Sequence, residues 1–180
     1  MAVRTLHQTD LFHPHQDPDD HYDLACQFAL ASRGDIELTG VLIDAPPSFA
    51  EGDPDVMAVA QLNALTGLSV PAGVGAPARG GVELLLRALS SADGKLVIHI
   101  VGSCRDVAAA IERAPELFKE GCAGIYLNAG SASDNGRLEY NVELDPAGYA
   151  AIFAAPCPVY WMPCFHAVPD WSREDMAVGR

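Results

Sequence analysis

The residues best suited to chemistry crowd into one stretch near the N-terminus, between His7 and Asp23. This acidic segment holds five aspartates and four histidines: Asp10, Asp17, Asp19, Asp20, Asp23, His7, His13, His15 and His21. Carboxylates this close repel one another unless solvent, a helix N-terminus or a cation offsets their charge. Aspartate oxygens suit a hard cation such as Ca²⁺ or Mg²⁺, and histidine nitrogens suit a softer metal. The segment predicts either a metal site or a solvated loop that precedes a helix.

Other candidate groups have simpler interpretations. His13, His15 and His21 are expected to face solvent, with a second metal site as the alternative. His99 lies in an apolar segment, which favours a core histidine with a hydrogen-bond partner. Cys104 and Cys164 are expected to be buried thiols. Tyr160 and Trp161 are expected at core or interface positions.

The composition indicates one globular domain over residues 1–180, with 166–180 as a flexible tail. Of 180 residues, 49% are hydrophobic, which is enough for a sizeable core. A formal net charge of −13 argues against binding to nucleic acid or to an anionic membrane. We find no apolar stretch of membrane-spanning length and no signal peptide. The five cysteines form no CxxC pair, which is typical of reduced thiols in a cytoplasmic protein.

Apolar periodicity predicts strands that alternate with helices along the whole chain. The predicted strands lie at 5–10, 36–43, 70–76, 95–101, 124–128 and 158–163, and the predicted helices at 21–32, 54–66, 81–91, 106–114, 115–119 and 146–153. This alternation is typical of a three-layer α/β fold of Rossmann-like type, with a mainly parallel sheet and helices on both faces.

Polar residues follow most of the predicted strands. Asp10 and the acidic segment come after the first strand, Asp44 after the second, and Asn128 after the fifth. Residues 103–106 and 164–166 occupy the same position after two other strands. Ligand sites in such sheets lie beyond the carboxyl ends of the strands, so these residues are expected to share one cleft.

Several of these segments together resemble a known family. Gln8-Thr9-Asp10 and the Asp-Pro-Asp-Asp run at 17–20 are similar to an Asp-x-Asp…Asp-Asp signature, and 102–108 is similar to Gly-Pro-Leu-Thr-Asn-Leu-Ala. The Tyr-Leu-Asn-Ala-Gly run at 126–130 and Glu-Tyr-Asn at 139–141 follow in the family's order. The chain thus resembles the inosine-uridine-preferring nucleoside hydrolases, which are metal-dependent N-ribohydrolases, over nearly its whole length.

The resemblance implies a role for each matching residue. Asp10, Asp20 and the backbone carbonyl of Arg105 would bind Ca²⁺. Asp19 would act as the general base towards a metal-bound water and would also contact the ribose. The remaining substrate contacts implied by the resemblance are Asn128, Glu139 and Asn141. The implied partner is a nucleoside or another ribosyl small molecule.

The sequence also departs from the family pattern. Gln8 stands where the family has its first aspartate, and the family continues for another third of its length beyond Cys164. That part carries a histidine near the leaving base and the last aspartate of the metal site. The alternatives are therefore a non-catalytic ribose- or nucleoside-binding relative, or an oligomerising domain with a vestigial acidic loop. An uncovered apolar patch would favour a homo-oligomer.

Overall fold

The structure is a computed structural model that describes residues 2–14, 18–46, 52–76, 80–131 and 138–164. The strands are β1 (Val3–Thr9), β2 (Phe12–His13), β3 (Ile36–Ile43), β4 (Asp53–Pro54), β5 (Ala72–Val74), β6 (Leu96–Ile100), β7 (Cys122–Leu127) and β8 (Val159–Trp161). The helices are α1 (Asp19–Ser32), α2 (Val56–Thr66), α3 (Gly80–Leu89), α4 (Arg105–Arg113), α5 (Pro115–Gly121), α6 (Tyr140–Leu144) and α7 (Pro146–Ile152). Predictions for His15, Asp17 and 166–180 lie outside the described residues.

Six strands form a parallel sheet in the order β5-β3-β1-β6-β7-β8. Each predicted strand corresponds to one of these six, so the predicted α/β fold with a mainly parallel sheet is confirmed. The pattern did not predict the antiparallel ribbon of β2 and β4, where Phe12 pairs with Pro54 and His13 with Asp53. A two-residue strand is too short to leave a periodic signal.

The sheet carries a hydrophobic core on each face, as the alternation of side chains along a strand requires. In β3, Leu42 packs in one core, whereas Val41 and Ile43 pack in the other. Helices α3, α4, α5 and α7 contribute to the first core. Helices α1 and α2 contribute to the second, with Phe28 fully buried there. The fold therefore has three layers.

The start of α1 differs from the predicted helix, which begins at His21. The helix begins at Asp19, and Pro18 is the N-cap residue without a side-chain cap hydrogen bond. Asp19 and Asp20 both lie in the first turn, where a carboxylate favours the partial positive charge of the helix end. The acidic segment is thus partly helical rather than wholly a loop.

Tyr160 and Trp161 are not core residues, because they are 48% and 44% exposed on the edge strand β8. Trp161 nevertheless donates its ring N–H to the carbonyl of Ala129 at 2.8 Å. His99 is confirmed as a hydrogen-bonded histidine of the sheet, with its Nδ1 3.1 Å from Nδ1 of His7. Within the described residues, no helix has both the length and the apolar character needed to cross a membrane.

Candidate active site at the carboxyl edge of the sheet

The central strand β1 defines a crevice at the carboxyl edge of the sheet. β3 lies on one side of β1 and β6 on the other. Helix α1, which follows β1, packs in one core, and α4, which follows β6, packs in the other. The chain therefore leaves β1 and β6 towards opposite faces, and the space between their carboxyl ends is where α/β sheets bind ligands.

Asp44 is a carboxylate at this edge that is almost completely buried, at 1% exposure. Its Oδ1 accepts a hydrogen bond from the side-chain amide of Gln8 at 2.7 Å, and its Oδ2 accepts one from the backbone N–H of Ser103 at 2.6 Å. The Gln8 carbonyl oxygen in turn accepts from the backbone N–H of Gly102 at 3.3 Å. These bonds join the ends of β1, β3 and β6 into one polar network.

Two opposing effects set the protonation of Asp44. Burial raises the pKa of Asp44 to about 7, although the backbone N–H of Ser103 opposes the rise.

The network also needs a glycine at 102, since a Cβ there would lie 2.8 Å from Oδ2 of Asp44 and 2.7 Å from the backbone nitrogen of Asp10. The close approach of the chain to Asp44 therefore depends on Gly102.

Asp10 and Asp20 form a carboxyl pair beside this network. The Thr9 hydroxyl donates to Oδ1 of Asp20 at 2.6 Å, which fixes the first turn of α1 against the end of β1. Burial raises the pKa of Asp10 to about 9, and the charge of Asp20, a hydrogen bond with Asp20 and the charge of Asp44 add to the rise. Asp10 therefore keeps its proton near neutral pH unless a bound cation offsets the charge of the neighbouring carboxylates.

The donor atoms of this cluster fit a hard cation in type. Carboxylate oxygens are the ligands that Ca²⁺ takes in proteins, and a divalent charge would offset the repulsion that Asp10 experiences. Across the described ranges, however, no three His, Cys, Asp or Glu side chains stand together as a metal site. An ion at Asp10 and Asp20 would therefore need further oxygen ligands, such as backbone carbonyls or water.

Asp19, the expected general base, is exposed in the first turn of α1. Its Oδ1 accepts the backbone N–H of Asp20 at 3.0 Å. The side chain is thus held near the carboxyl pair by its place in the helix, while remaining open to water. Its role in catalysis stays a prediction.

The structure brings Glu139 and Asn141 to the same edge, where they connect two loops. Glu139 accepts the backbone N–H of Gly130 through Oε2 at 2.8 Å and that of Asn141 through Oε1 at 3.1 Å. The Asn141 amide donates to the carbonyl of Val101 at 2.8 Å. Asn128, directly after β7, is exposed at this edge. A sugar contact by any of the three expected residues stays a prediction.

Arg105 begins α4, and its guanidinium donates to the carbonyl of Leu144 at 3.0 Å. Its positive charge also acts to lower the pKa of Asp44, against the larger effect of burial. The resemblance pointed to the backbone carbonyl of this residue as a metal ligand. Carbonyls in the first turn of a helix normally accept intrahelical hydrogen bonds, and the ligand role stays a prediction.

Sequence reasoning did not assign roles to Gln8 and Asp106, which are both buried polar residues. Asp106 accepts the backbone N–H of Ala76 through Oδ1 at 3.1 Å, and burial raises its pKa. A Cβ at position 75 would lie 2.0 Å from Oδ2 of Asp106, so Gly75 makes room for the carboxylate. No local pattern singled out either residue, because β1 reads Val-Arg-Thr-Leu-His-Gln-Thr and Asp106 follows the charged Arg105.

Two histidines of the acidic segment, His13 and His21, line a separate cleft of about 460 Å³. His21 Nε2 is 3.2 Å from Oδ2 of Asp55, and His13 Nδ1 is 4.0 Å from the same oxygen. Asp55 also caps α2 by accepting the backbone N–H of Ala58 at 3.0 Å. His13 is exposed, as predicted, whereas His21 is largely covered.

Solved structures with the same fold include nucleoside hydrolases. An inosine-guanosine nucleoside hydrolase matches 90% of this chain at 16% identity, with a TM-score of 0.67, and the match covers 62% of that protein. A purine-preferring ribonucleoside hydrolase from Gardnerella vaginalis matches 89% of the chain at 19% identity, with a TM-score of 0.62 and 60% of its own length covered. The type III effector XopQ, solved with adenosine diphosphate ribose, matches 91% at 20% identity, with a TM-score of 0.68 and 56% of its length covered.

The chain therefore has the α/β fold of the nucleoside hydrolases, as the sequence resemblance implied. No protein-family model and no curated protein matches the sequence. The chain spans less than two thirds of the length of the solved structures named above. At these identities the likeness establishes the fold and leaves the chemistry to the residues of the site.

Proposed function

We propose that the chain binds a ribosyl compound at the carboxyl edge of its sheet and hydrolyses the N-glycosidic bond. The observation that carries this proposal is the convergence of Asp10, Asp20 and Asp44 beyond β1 and β3, with the pKa of Asp10 raised to about 9. Cleavage of a riboside passes through an oxocarbenium-like state whose positive charge such a cluster would stabilise. The nucleoside-hydrolase fold supports the same class of substrate.

Each residue of the edge has a task in this proposal. Asp19, which is open to solvent, would accept the proton of the attacking water. The water oxygen bonds to the anomeric carbon and the bond from that carbon to the base nitrogen breaks. The leaving base takes up a proton from solvent, and Asp19 returns its proton to solvent. Glu139 and Asn141, which are held at this edge by their own hydrogen bonds, would orient the ribose hydroxyls, with Asn128 alongside.

Asp10 and Asp20 would hold a hard divalent cation such as Ca²⁺ at this edge. Bound there, the ion would lower the pKa of a water ligand and so supply a nucleophile near neutral pH. Its binding would also displace the proton that Asp10 otherwise keeps. The residues themselves position the carboxylates: Thr9 fixes Asp20, and Gly102 allows the close approach of β6 to β1.

The test is an initial-rate assay of base release from inosine and uridine, with added Ca²⁺ and with a chelator. Asp20→Asn is expected to lower kcat/KM by at least about 100-fold, because it removes a charge from the reacting centre. Asp35→Asn is the matched control, since Asp35 pairs with Arg33 on an exposed turn. Equal rates in wild type, in Asp20→Asn and without enzyme would refute the proposal.

A second candidate is a domain that binds the ribosyl compound without turning it over. The side chains of Glu139 and Asn141 both form hydrogen bonds within the protein, which favours a structural or binding role over a catalytic one. The XopQ structure, solved with adenosine diphosphate ribose, has the same fold. Calorimetric titration with ADP-ribose separates the two: binding that Asp20→Asn weakens, without release of product, would support this candidate over hydrolysis.

A further inference from the structure

Two cysteines at the far end of the sheet meet across neighbouring strands. β7 and β8 are parallel, with Ile125 opposite Val159, and the N–H of Ile125 donates to the carbonyl of Pro158 at 2.9 Å. Continuing this register backwards places Cys157 beside the first residues of β7. Cys157 packs against the same core cluster that buries Cys122.

The two thiols also affect each other directly. A hydrogen bond to Cys157 is the main cause that raises the pKa of Cys122, and the same bond lowers the pKa of Cys157. Cys157 is half-buried, whereas Cys122 is 2% exposed. The pair therefore combines a solvent-reachable thiol that ionises more readily with a buried partner that keeps its proton.

We propose that Cys122 and Cys157 form a dithiol that hydrogen peroxide oxidises to a disulfide bond. By this register Cys157 lies opposite Ala123, the neighbour of Cys122. Because adjacent strands are about 4.8 Å apart, we expect the two Cα atoms to fall within the range of separations that a disulfide spans. The bond would link the start of β7 to the segment that precedes β8. This site is independent of the proposed hydrolase activity.

The reaction balances with one peroxide per pair. The Cys157 thiolate attacks a peroxide oxygen, the O–O bond breaks, and the product is a sulfenic acid plus a hydroxide that takes up a proton to become water. The sulfur of Cys122 then attacks the sulfenic sulfur, and its proton leaves with the sulfenic oxygen as a second water. Two thiols are oxidised and one peroxide is reduced.

Other thiols of the chain are less suited to the first step. Burial raises the pKa of Cys104 to about 12, with the charge of Asp44 adding to the rise. Burial likewise raises the pKa of Cys164. Because the thiolate is the reacting species, peroxide should select Cys157 over both.

Oxidation would constrain the part of the chain that carries the candidate sugar contacts, including Glu139 and Asn141. Cys122 and Cys157 lie thirty-five positions apart in the sequence, and Glu139 and Asn141 fall between them. Cross-linking a loop of this length reduces the entropy of the unfolded chain. The oxidised protein should therefore melt roughly 10 °C higher than the reduced protein.

The test is peptide mapping after treatment of the full chain with a small excess of hydrogen peroxide, followed by alkylation of the remaining thiols. Trypsin releases Cys122 in fragment 120–137, and Cys157 in fragment 138–173, which also contains Cys164. A Cys164→Ser variant therefore assigns the link. We expect the two fragments joined, with the loss of two hydrogens, in wild type and in Cys164→Ser.

Serine variants of Cys122 and Cys157 test whether both thiols are needed for the link. Cys157→Ser and Cys122→Ser should each abolish the linked fragments and the rise in Tm, whereas Cys26→Ser should retain both. The inference would be overturned by full alkylation of Cys122 and Cys157 after peroxide, or by a link that persists in Cys157→Ser and disappears in Cys164→Ser. Oxidation of Cys157 to an acid with Cys122 still alkylated would overturn it as well.

Discussion

His7 should make the protein progressively less stable as the pH falls below neutrality. This side chain is fully buried in β1, and its Nδ1 is 3.1 Å from Nδ1 of His99 in β6. Burial, aided by the charge of His99, lowers the pKa of His7 to about 3 from an ordinary value of 6.5. The folded protein therefore keeps His7 neutral over a range where the unfolded chain takes up a proton.

The magnitude follows from this difference in pKa. Stability is lost as the pH falls from 6.5 towards 3, because only the unfolded state gains a proton there. At about 1.4 kcal/mol per pKa unit, the loss is about 2 kcal/mol between pH 7 and pH 5 and about 4 to 5 kcal/mol by pH 3. Two other polar groups face this histidine pair. The amide nitrogen of Gln27 in α1 lies 3.4 Å from Nδ1 of His99, and the charge of Asp23 opposes the lowering of the His99 pKa by burial.

Urea unfolding at pH 7 and pH 5 measures this effect in wild type and in His7→Gln. The glutamine keeps an amide near His99 but does not titrate. Between pH 7 and pH 5, the free energy of unfolding of His7→Gln should therefore fall by about 2 kcal/mol less than that of wild type. His13→Gln, at an exposed histidine, should behave as wild type. Parallel losses in wild type and His7→Gln would show that protonation of His7 does not cause the loss of stability.

Three further substitutions probe the network at the carboxyl edge and the cap of α2 by urea unfolding. Gly102→Ala should cost about 1 to 3 kcal/mol, since its Cβ would lie 2.8 Å from an oxygen of Asp44; an unchanged midpoint would contradict that close approach. Gln8→Leu should cost about 1 to 3 kcal/mol by leaving Oδ1 of Asp44 without its amide donor, and a neutral result would mean that the bond is absent. Asp55→Ala should cost about 1 kcal/mol through loss of the α2 cap, whereas Asp53→Ala should have little effect; equal losses would contradict the capping role.

The fold was largely predictable from the sequence, because long periodic segments report burial directly. β6 is an example, because its apolar residues Leu96, Ile98 and Ile100 are all buried. The predicted ends of the neighbouring helices lie within a few residues of the observed ends. The first turn of α1 was not predicted, since Asp19 and Asp20 look equally suitable before or within a helix. Helix α6 was missed because five residues give too little periodicity.

The candidate site was only partly predictable. The placement of Asp10 and Asp44 at one edge follows from the rule for parallel sheets. The partnership of Gln8 with Asp44 depends on how two strands register and on a glycine at 102, which no local pattern encodes. The hydrogen bonds of Glu139 likewise join residues from separate loops, so the sequence could suggest the residue without its partners.

The most direct test of the proposed function is hydrolysis of 4-nitrophenyl riboside. Its activated leaving group departs without a proton donor, so the rate reports on the carboxylates and the ribose contacts alone. We predict enzyme-dependent release of nitrophenolate that Asp10→Asn and Asp20→Asn each reduce by at least about 100-fold, whereas Asp35→Asn does not. A folded wild-type protein that releases no nitrophenolate above the uncatalysed rate, with and without Ca²⁺, would contradict this prediction.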